Sequence, residues 1–268
     1  MDARPDILRS LREQLLVAGG GAAARRRVCV STSLELFDAF ASVNGSGLAT
    51  GAIHEVLAEP DAESAGTFTA LIASAILKAK PGGWIVWSDP HRTLYPPALA
   101  NTGIALERLM ILRPRSPQDE LWAVAECMRC TGVAATVAHV GKLTPVQARR
   151  LQLAAEQGGG IGVLVRPDDA RATNYAAATR WRVSACVSAC ASKMAASAAS
   201  QRWNVELVYG HGGRVGQRFV LEVDRETGRA NASAASAVVS DRADAAVAAA
   251  NDSVRRAADV ADGSRATA

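Results

Sequence analysis

Aromatic residues are scarce in this chain of 268 residues: four Phe, five Trp and three Tyr, 4% in all. Lysine is scarcer, present only at Lys78, Lys80, Lys142 and Lys193, so arginine carries nearly all of the 30 basic charges. An arginine excess of that kind reflects a GC-rich genome as much as a functional choice. No run of 18 or more apolar residues occurs, which excludes a membrane-spanning helix. The first residues carry Asp2, Arg4, Asp6 and Arg9 without a long apolar stretch, so they do not read as a secretory signal. Five cysteines are an odd number and make no disulfide framework. A reduced, cytoplasmic protein that does not touch a membrane is the expectation. The sequence has no G-x-S-x-G or other nucleophile signature, and His54, His91, His139 and His211 show no ligand spacing.

Hydrophobic residues nevertheless reach 49%. Many are among the 55 alanines, whose methyl groups each bury little surface. The net charge of +4 is a weak field over this length and does not by itself argue for nucleic acid.

The order of elements reads as α/β. Ile7, Leu8, Leu11, Leu15 and Leu16 have helical spacing behind Pro5, and Gly19–Gly21 end that helix. VCVST from Val28 is a strand, LELFDAF a short helix, and NGSGLATG a loop. AIHEVL alternates as a strand, with Ile53, Glu55 and Leu57 against His54 and Val56. A polar loop and the helix TFTALIASAILKAK follow, and WIVWS then reads as a buried parallel strand. Further expected elements are a helix at 97–102, a strand at 109–112, a helix at 117–130, a strand at 133–140, a helix at 144–157 and a strand at 161–166. Thr144 and Pro145 supply an N-cap and a first helical residue. Repeated β-α-β spacing argues for a mostly parallel twisted sheet flanked by helices. WRVSACV, RWNVELVYG and RFVLEVD alternate around turns and are expected as antiparallel edge strands. Residues 231–268 hold 15 alanines and no aromatic residue, too little to build a core. The expected divisions are an N-terminal helix and linker at 1–27, a core domain at 28–226, and a disordered, flexible Ala/Arg tail at 227–268.

Several constellations bear on chemistry. The segment Glu63-Ser64-Ala65-Gly66-Thr67-Phe68-Thr69 lies where a phosphate-binding loop would lie. Such a loop needs glycines, a lysine for the phosphates and a hydroxyl for magnesium. Here one glycine is present, and Thr67 and Phe68 take the lysine and hydroxyl positions. The partial positive charge of a helix N-terminus leaves room only for weak ATP binding, so no cofactor is expected. Asp89 and His91 follow the strand WIVWS, at the strand end where α/β sheets usually bind ligands; helix capping or loop hydrogen bonds are equally ordinary roles for them. Cys127 and Cys130 form a C-x-x-C, and Cys186 and Cys190 are four apart. The first pair lies within an amphipathic helix and the second in a Ser/Ala stretch, so free thiols are expected and no metal. Arg180, Arg182 and Arg202 flank Trp181 and Trp203, a mixture that binds single-stranded nucleic acid by charge and stacking. In alternating strands the tryptophans more often face the core and the arginines water, so DNA contact stays open.

STSLELFDAF, GSGLATGAIHEV and ESAGTFT together resemble the opening of the RecA-type ATPase core, and WIVWSDPHRTLYP resembles its next strand and catalytic loop. A closer resemblance is to the ImuA family of bacterial translesion-synthesis cassettes. GLATGAIHEVLA, the Leu94–Leu99 segment after Asp89, LMILRPRSPQDELWAVAECMRC, ARRLQLAAEQGG, TRWRV and RWNVELVYGHGG carry it, over about residues 28–224. SulA, the cell-division inhibitor, is a more distant likeness with the same degenerate core. Against active RecA, the lysine position is Thr67, the water-activating glutamate falls at Pro90, and the strand that should end in a magnesium-supporting aspartate reads Ala135–His139. Phosphoryl transfer depends on positioned metal and charge, so these departures argue for a non-catalytic core.

The resemblance implies a RecA-like fold and an accessory role in SOS-induced translesion DNA synthesis, nucleoid-associated on DNA damage. It implies as partners an ImuB-like Y-family protein and an error-prone replicative-type polymerase, with RecA and further copies of this chain as other candidates. Leu8, Leu11 and Leu15 of the first helix, and Val254, Arg255 and Arg256 of the tail, are the candidate partner contacts. The rival readings are a RecA-class DNA-dependent ATPase and a SulA-like inhibitor of cell division.

Overall fold

A computed structural model describes residues 28–32, 34–41, 47–58, 63–168, 177–186, 200–210, 215–224 and 226–234. It is a mixed α/β structure built on one large, mostly parallel sheet with helices on both faces. A two-stranded antiparallel ribbon pairs β1 (Cys29–Val30) with β2 (Leu48–Ala49). Gly47 enters β2 with φ +87°, and a Cβ there would lie 2.1 Å from the Val30 carbonyl oxygen, so only glycine fits.

The large sheet has nine strands: β3 (Ala52–Ala58), β4 (Trp84–Ser88), β5 (Leu109–Leu112), β6 (Val133–His139), β7 (Ile161–Pro167), β8 (Thr179–Ala185), β9 (Ser200–Gly210), β10 (Arg218–Asp224) and β11 (Ala230–Ala234). Their order is β11-β10-β9-β8-β3-β7-β6-β4-β5. From β8 to β5 every neighbouring pair is parallel, and from β8 to β11 every pair is antiparallel. WRVSACV, expected at the antiparallel edge, is therefore the seam between the two halves. Strand β11 is a second difference. Its residues Ala230–Ala234 fall in the stretch expected to be a tail from 227, yet they pair along β10. Ala230 and Ala232 pack against the core. Strand pairing along an existing edge needs little side-chain burial, which is why an alanine-rich stretch is enough here.

One face carries α1 (Glu35–Ala41), α2 (Glu63–Ala79) and the short α3 (Pro96–Asn101). Phe68, Ile72 and Ile76 of α2 and Phe37 and Phe40 of α1 pack there on Val56, Val163, Trp181 and Phe219. Phe37 stacks on Trp181 at 4.2 Å between ring centroids, so the few aromatics are concentrated where they bury most area. The other face carries α4 (Pro117–Arg129) and α5 (Pro145–Gly158), packed through Val124, Met128, Leu151 and Ala155 on Ile53 and Leu164. Ser116 caps α4 by accepting the Asp119 N–H, and Thr144 and Gln147 form a capping box on α5. Gly158 lets the end of α5 approach the carbonyl of Met128, which a Cβ would meet at 2.0 Å. Among the described residues, no helix is long and apolar enough to cross a membrane.

Strand β3 departs most from its alternating pattern, because all seven of its residues are buried. It sits between β7 and β8 with cover on both sides, so its polar residues need internal partners. The imidazole of His54 lies 2.9 Å from the Ala49 carbonyl through Nε2 and 2.7 Å from the Thr179 hydroxyl through Nδ1. A carbonyl only accepts, so Nε2 carries a proton and donates it to Ala49. The Trp181 indole N–H donates to the same hydroxyl at 2.8 Å. Glu55 pairs through Oε1 with Arg166 Nη1 at 2.9 Å and through Oε2 with Arg180 Nε at 2.6 Å. All three side chains are at least nine-tenths buried.

Removing one partner from such a set leaves buried charge uncompensated, at a cost of about 3–5 kcal/mol. Glu55→Ala is expected to lose that much, and Glu55→Gln less, in urea unfolding at neutral pH.

Candidate functional site

The carboxyl ends of β4 and β6 lie side by side. The chain leaves β4 toward the face of α3 and leaves β6 toward the face of α5. Adjacent strands with connections on opposite faces open a crevice at their carboxyl ends, the usual place for a ligand in such sheets. A cavity of about 340 Å³ occupies it, within the range of about 300–1,000 Å³ common to small-molecule sites. Gly66 and Thr67 from the first turns of α2, Asp89 and His91 beyond β4, and His139 at the end of β6 all line it. Trp87, Leu94, Tyr95, Ala98 and Leu99 supply most of its apolar wall.

The stretch expected as a degenerate phosphate loop is not a loop but the start of α2, and its Gly66 and Thr67 meet the strand-end pair in one cavity. Glu63 and Ser64 begin α2. A Cβ on Gly66 would meet nothing within 4 Å, so the helix start is not crowded. Thr69, expected with this group, turns instead into the core, fully buried with its hydroxyl unbonded. Two residues beyond Thr67 on a helix, it lies about 200° round the axis and cannot share the same face.

Asp89 is the polar centre of the site and is 4% exposed. Its Oδ1 accepts the Thr93 N–H at 2.9 Å, holding the turn over the cavity. Arg92 in that turn has φ 57°, the left-handed region that costs a non-glycine residue energy. Asp89 Oδ2 is buried with no hydrogen-bond partner. Behind the strand, Ser88 donates to Glu120 Oε1 of α4 at 2.6 Å. Among the described residues, no lysine or arginine lines the cavity. Desolvation at the cavity wall holds the His139 pKa below the ordinary imidazole value; the Asp89 charge opposes that shift and His91 reinforces it. The ring still keeps an open edge to solvent.

Of the arginines expected to meet DNA, Arg180 is buried against Glu55. Its side chain points to the face opposite Trp181, where β3 supplies the carboxylate. Arg182 pairs with Asp168 at 3.2 Å and Glu206 at 2.7 Å, and Arg202 lies 3.9 Å from Glu222. The register of β8, β9 and β10 sets Arg182 opposite Glu206, Glu206 opposite Arg218 and Arg202 opposite Glu222. That face is a ladder of opposed charges and not a basic surface. Trp181 and Trp203 are both buried and offer no stacking platform. Cys127 and Cys130 lie at the end of α4, where burial first, then Cys130 and Glu126, raise the Cys127 thiol pKa. Among the described residues no three His, Cys, Asp or Glu side chains group as a metal site. Leu8, Leu11, Leu15, Val254, Arg255 and Arg256 lie outside the described residues.

Protein ImuA of Caulobacter vibrioides, in two strains, is 31% identical over 184 residues, which is 64% of this chain and 75% of that protein. The chain belongs to the ImuA family. Two proteins named cell division inhibitor SulA match less of it. That of Photorhabdus laumondii is 27% identical over 86 residues, 32% of this chain and 49% of its own length. That of Klebsiella aerogenes is 26% identical over 122 residues, 44% and 70% respectively. No family model matches the chain. Within this ImuA-family chain, sequence reading missed His139, Thr93, Tyr95 and the Glu55 pairing. His139 carries the same signal as Asp89, a polar residue ending an apolar strand. Glu55 is a lone charge inside an apolar run, the mark of a buried pair.

His139 also sets a pH dependence. With its folded pKa lowered, the unfolded chain takes up a proton first as pH falls through the ordinary imidazole range. Stability therefore rises with pH across that window. The melting temperature is expected to drop from pH 7 to pH 5.5, and His139→Gln to lose part of that drop.

Proposed function

We propose that this chain is a non-catalytic accessory factor in damage-induced translesion DNA synthesis, built on a RecA-like core and working by binding other proteins. Membership of the ImuA family supports the biological setting. One observation carries the mechanism: among the described residues, the cavity at the strand ends is lined by a buried carboxylate and by no lysine or arginine. Phosphoryl transfer rests on cations and metal that spread and neutralise developing charge. Here Thr67 stands at the lysine position and Pro90 where a water-activating glutamate would be, beside Asp89. A triphosphate would meet repulsion in place of that support, so the preserved scaffold serves as a surface. The partners we assign are an ImuB-like Y-family protein and an error-prone polymerase, and the place of action is the cytoplasm, at the nucleoid after damage.

Partial likeness to the SulA proteins favours one second reading, inhibition of cell division. Deleting the gene separates the two. Under the first reading, ultraviolet-induced mutation frequency falls toward that of undamaged cells, and overexpression leaves cell length unchanged. Under the second, mutation frequency holds and overexpression elongates the cells. Polymerase genes beside this one would favour the first.

Binding to the native state must stabilise it, by about 2.7 kcal/mol at a hundredfold excess over Kd. Mg-ATP is expected to leave the melting temperature of the purified chain unchanged and to be hydrolysed no faster than in buffer. Either a clear shift or turnover lost in Asp89→Asn would return the ATPase reading. Truncation after Ala234, which spares β11, is expected to keep the fold and weaken co-purification with the ImuB-like partner.

A further inference from the structure

We infer that the cavity between α2 and the Pro90–Tyr95 turn receives the guanidinium group of an arginine side chain presented by another polypeptide, with Asp89 as its anchor. The inference rests on the reading of this core as a protein-binding surface and names the chemistry that surface selects.

Charge gives the sign of the ligand. Among the described residues in the lining, Asp89 is the carboxylate, and no lysine or arginine faces it there. The amino end of α2 contributes about half a positive charge at most, less than one buried carboxylate. Among the described residues no ion pair reaches Asp89. Hydrogen bonding gives the second argument. Thr93 occupies Oδ1, while Oδ2 is buried without a donor. Leaving a buried acceptor unsatisfied is costly, and a charged donor recovers more than a neutral one. Around it on the cavity lining, His91, Thr93 and Tyr95 are all exposed.

Shape and surroundings select arginine among cations. A divalent metal lacks a site, since Asp89, His91 and His139 line the cavity without grouping as a metal-binding set, and no other such set exists among the described residues. An ammonium is strongly hydrated, whereas a guanidinium sheds water more easily, stays charged and stacks on aromatic faces. Trp87, Leu94 and Leu99 provide apolar wall for the methylene stem. Tyr95, 68% exposed at the mouth, supplies a ring for the planar head. A neutral His139 imidazole and the Thr67 hydroxyl add acceptors on the far side. The mouth is bordered by exposed His91, Tyr95 and Ala98, where a partner's backbone finds room.

The test is thermal shift and calorimetry on the full-length chain, with N-acetyl-arginine N-methylamide as the probe. Its citrulline counterpart, equal in shape but uncharged, is the control. The arginine probe is expected to raise the melting temperature with dose and to bind at roughly millimolar Kd, as suits a single group. The citrulline probe is expected to bind at least about tenfold more weakly, the loss of one charge-assisted bond. Asp89→Asn, which keeps the acceptor for Thr93, is expected to remove the preference for arginine. Thr67→Lys places a tethered ammonium in the cavity, so it is expected to raise the melting temperature and abolish the probe's shift. Equal binding of arginine and citrulline probes, or no shift up to solubility, would overturn the inference without needing any variant. Free agmatine binding tenfold tighter than the capped amide would overturn the polypeptide source. A shift with Mg-ATP instead would sink the non-catalytic reading itself, whereas failure of the arginine probe alone leaves that reading standing.

Discussion

Glu55 ties together the three strands on which the rest of the sheet depends. It takes Arg166 from β7 with one oxygen and Arg180 from β8 with the other. Strand β8 is where the parallel half of the sheet gives way to the antiparallel half. A residue pairing across both sides of β3 holds that seam in register. A one-residue slip of β8 would point Arg180 to the aromatic side and Trp181 toward the charge. Charge buried in this way contributes little net stability when compared with an apolar replacement, but it penalises every arrangement that leaves one member alone.

With the seam held, the two faces divide the work. The aromatic side uses all four phenylalanines and three of the five tryptophans, grouped around Phe37, Trp181 and Phe219. The opposite side is filled largely by alanine and aliphatic residues of α4 and α5. Small side chains let those helices approach each other and the sheet closely, as at Gly158. Beyond the helices, β9 and β10 turn a row of alternating charges outward on that side. The same arginines that suggest nucleic acid in the sequence are thereby matched to carboxylates.

The site follows from the crossing of connections between β4 and β6. An ATPase scaffold uses such a crevice to gather phosphates and metal. In this chain the same crevice holds a carboxylate with one unsatisfied oxygen, two imidazoles and an aromatic rim. Asp89 gives that crevice a negative charge at the strand ends.

Periodicity, caps and glycine stops are local, so most of the elements and their kind are legible in the order of the residues. The strand at 109–112, the Thr144 cap and the α/β alternation needed no tertiary knowledge. Which residues share a space depends instead on packing between distant segments. Strand β3 lost its alternation because both neighbours cover it, and Arg180 left the surface because Glu55 waits across the strand. Alanines 230–234 became a strand because β10 offered an open edge. Thr67, Asp89 and His139 became one site because the sheet order sets β4 beside β6. Local pattern encodes what each segment is, whereas burial, pairing and the sign of a cavity's charge arise from segments distant in the chain.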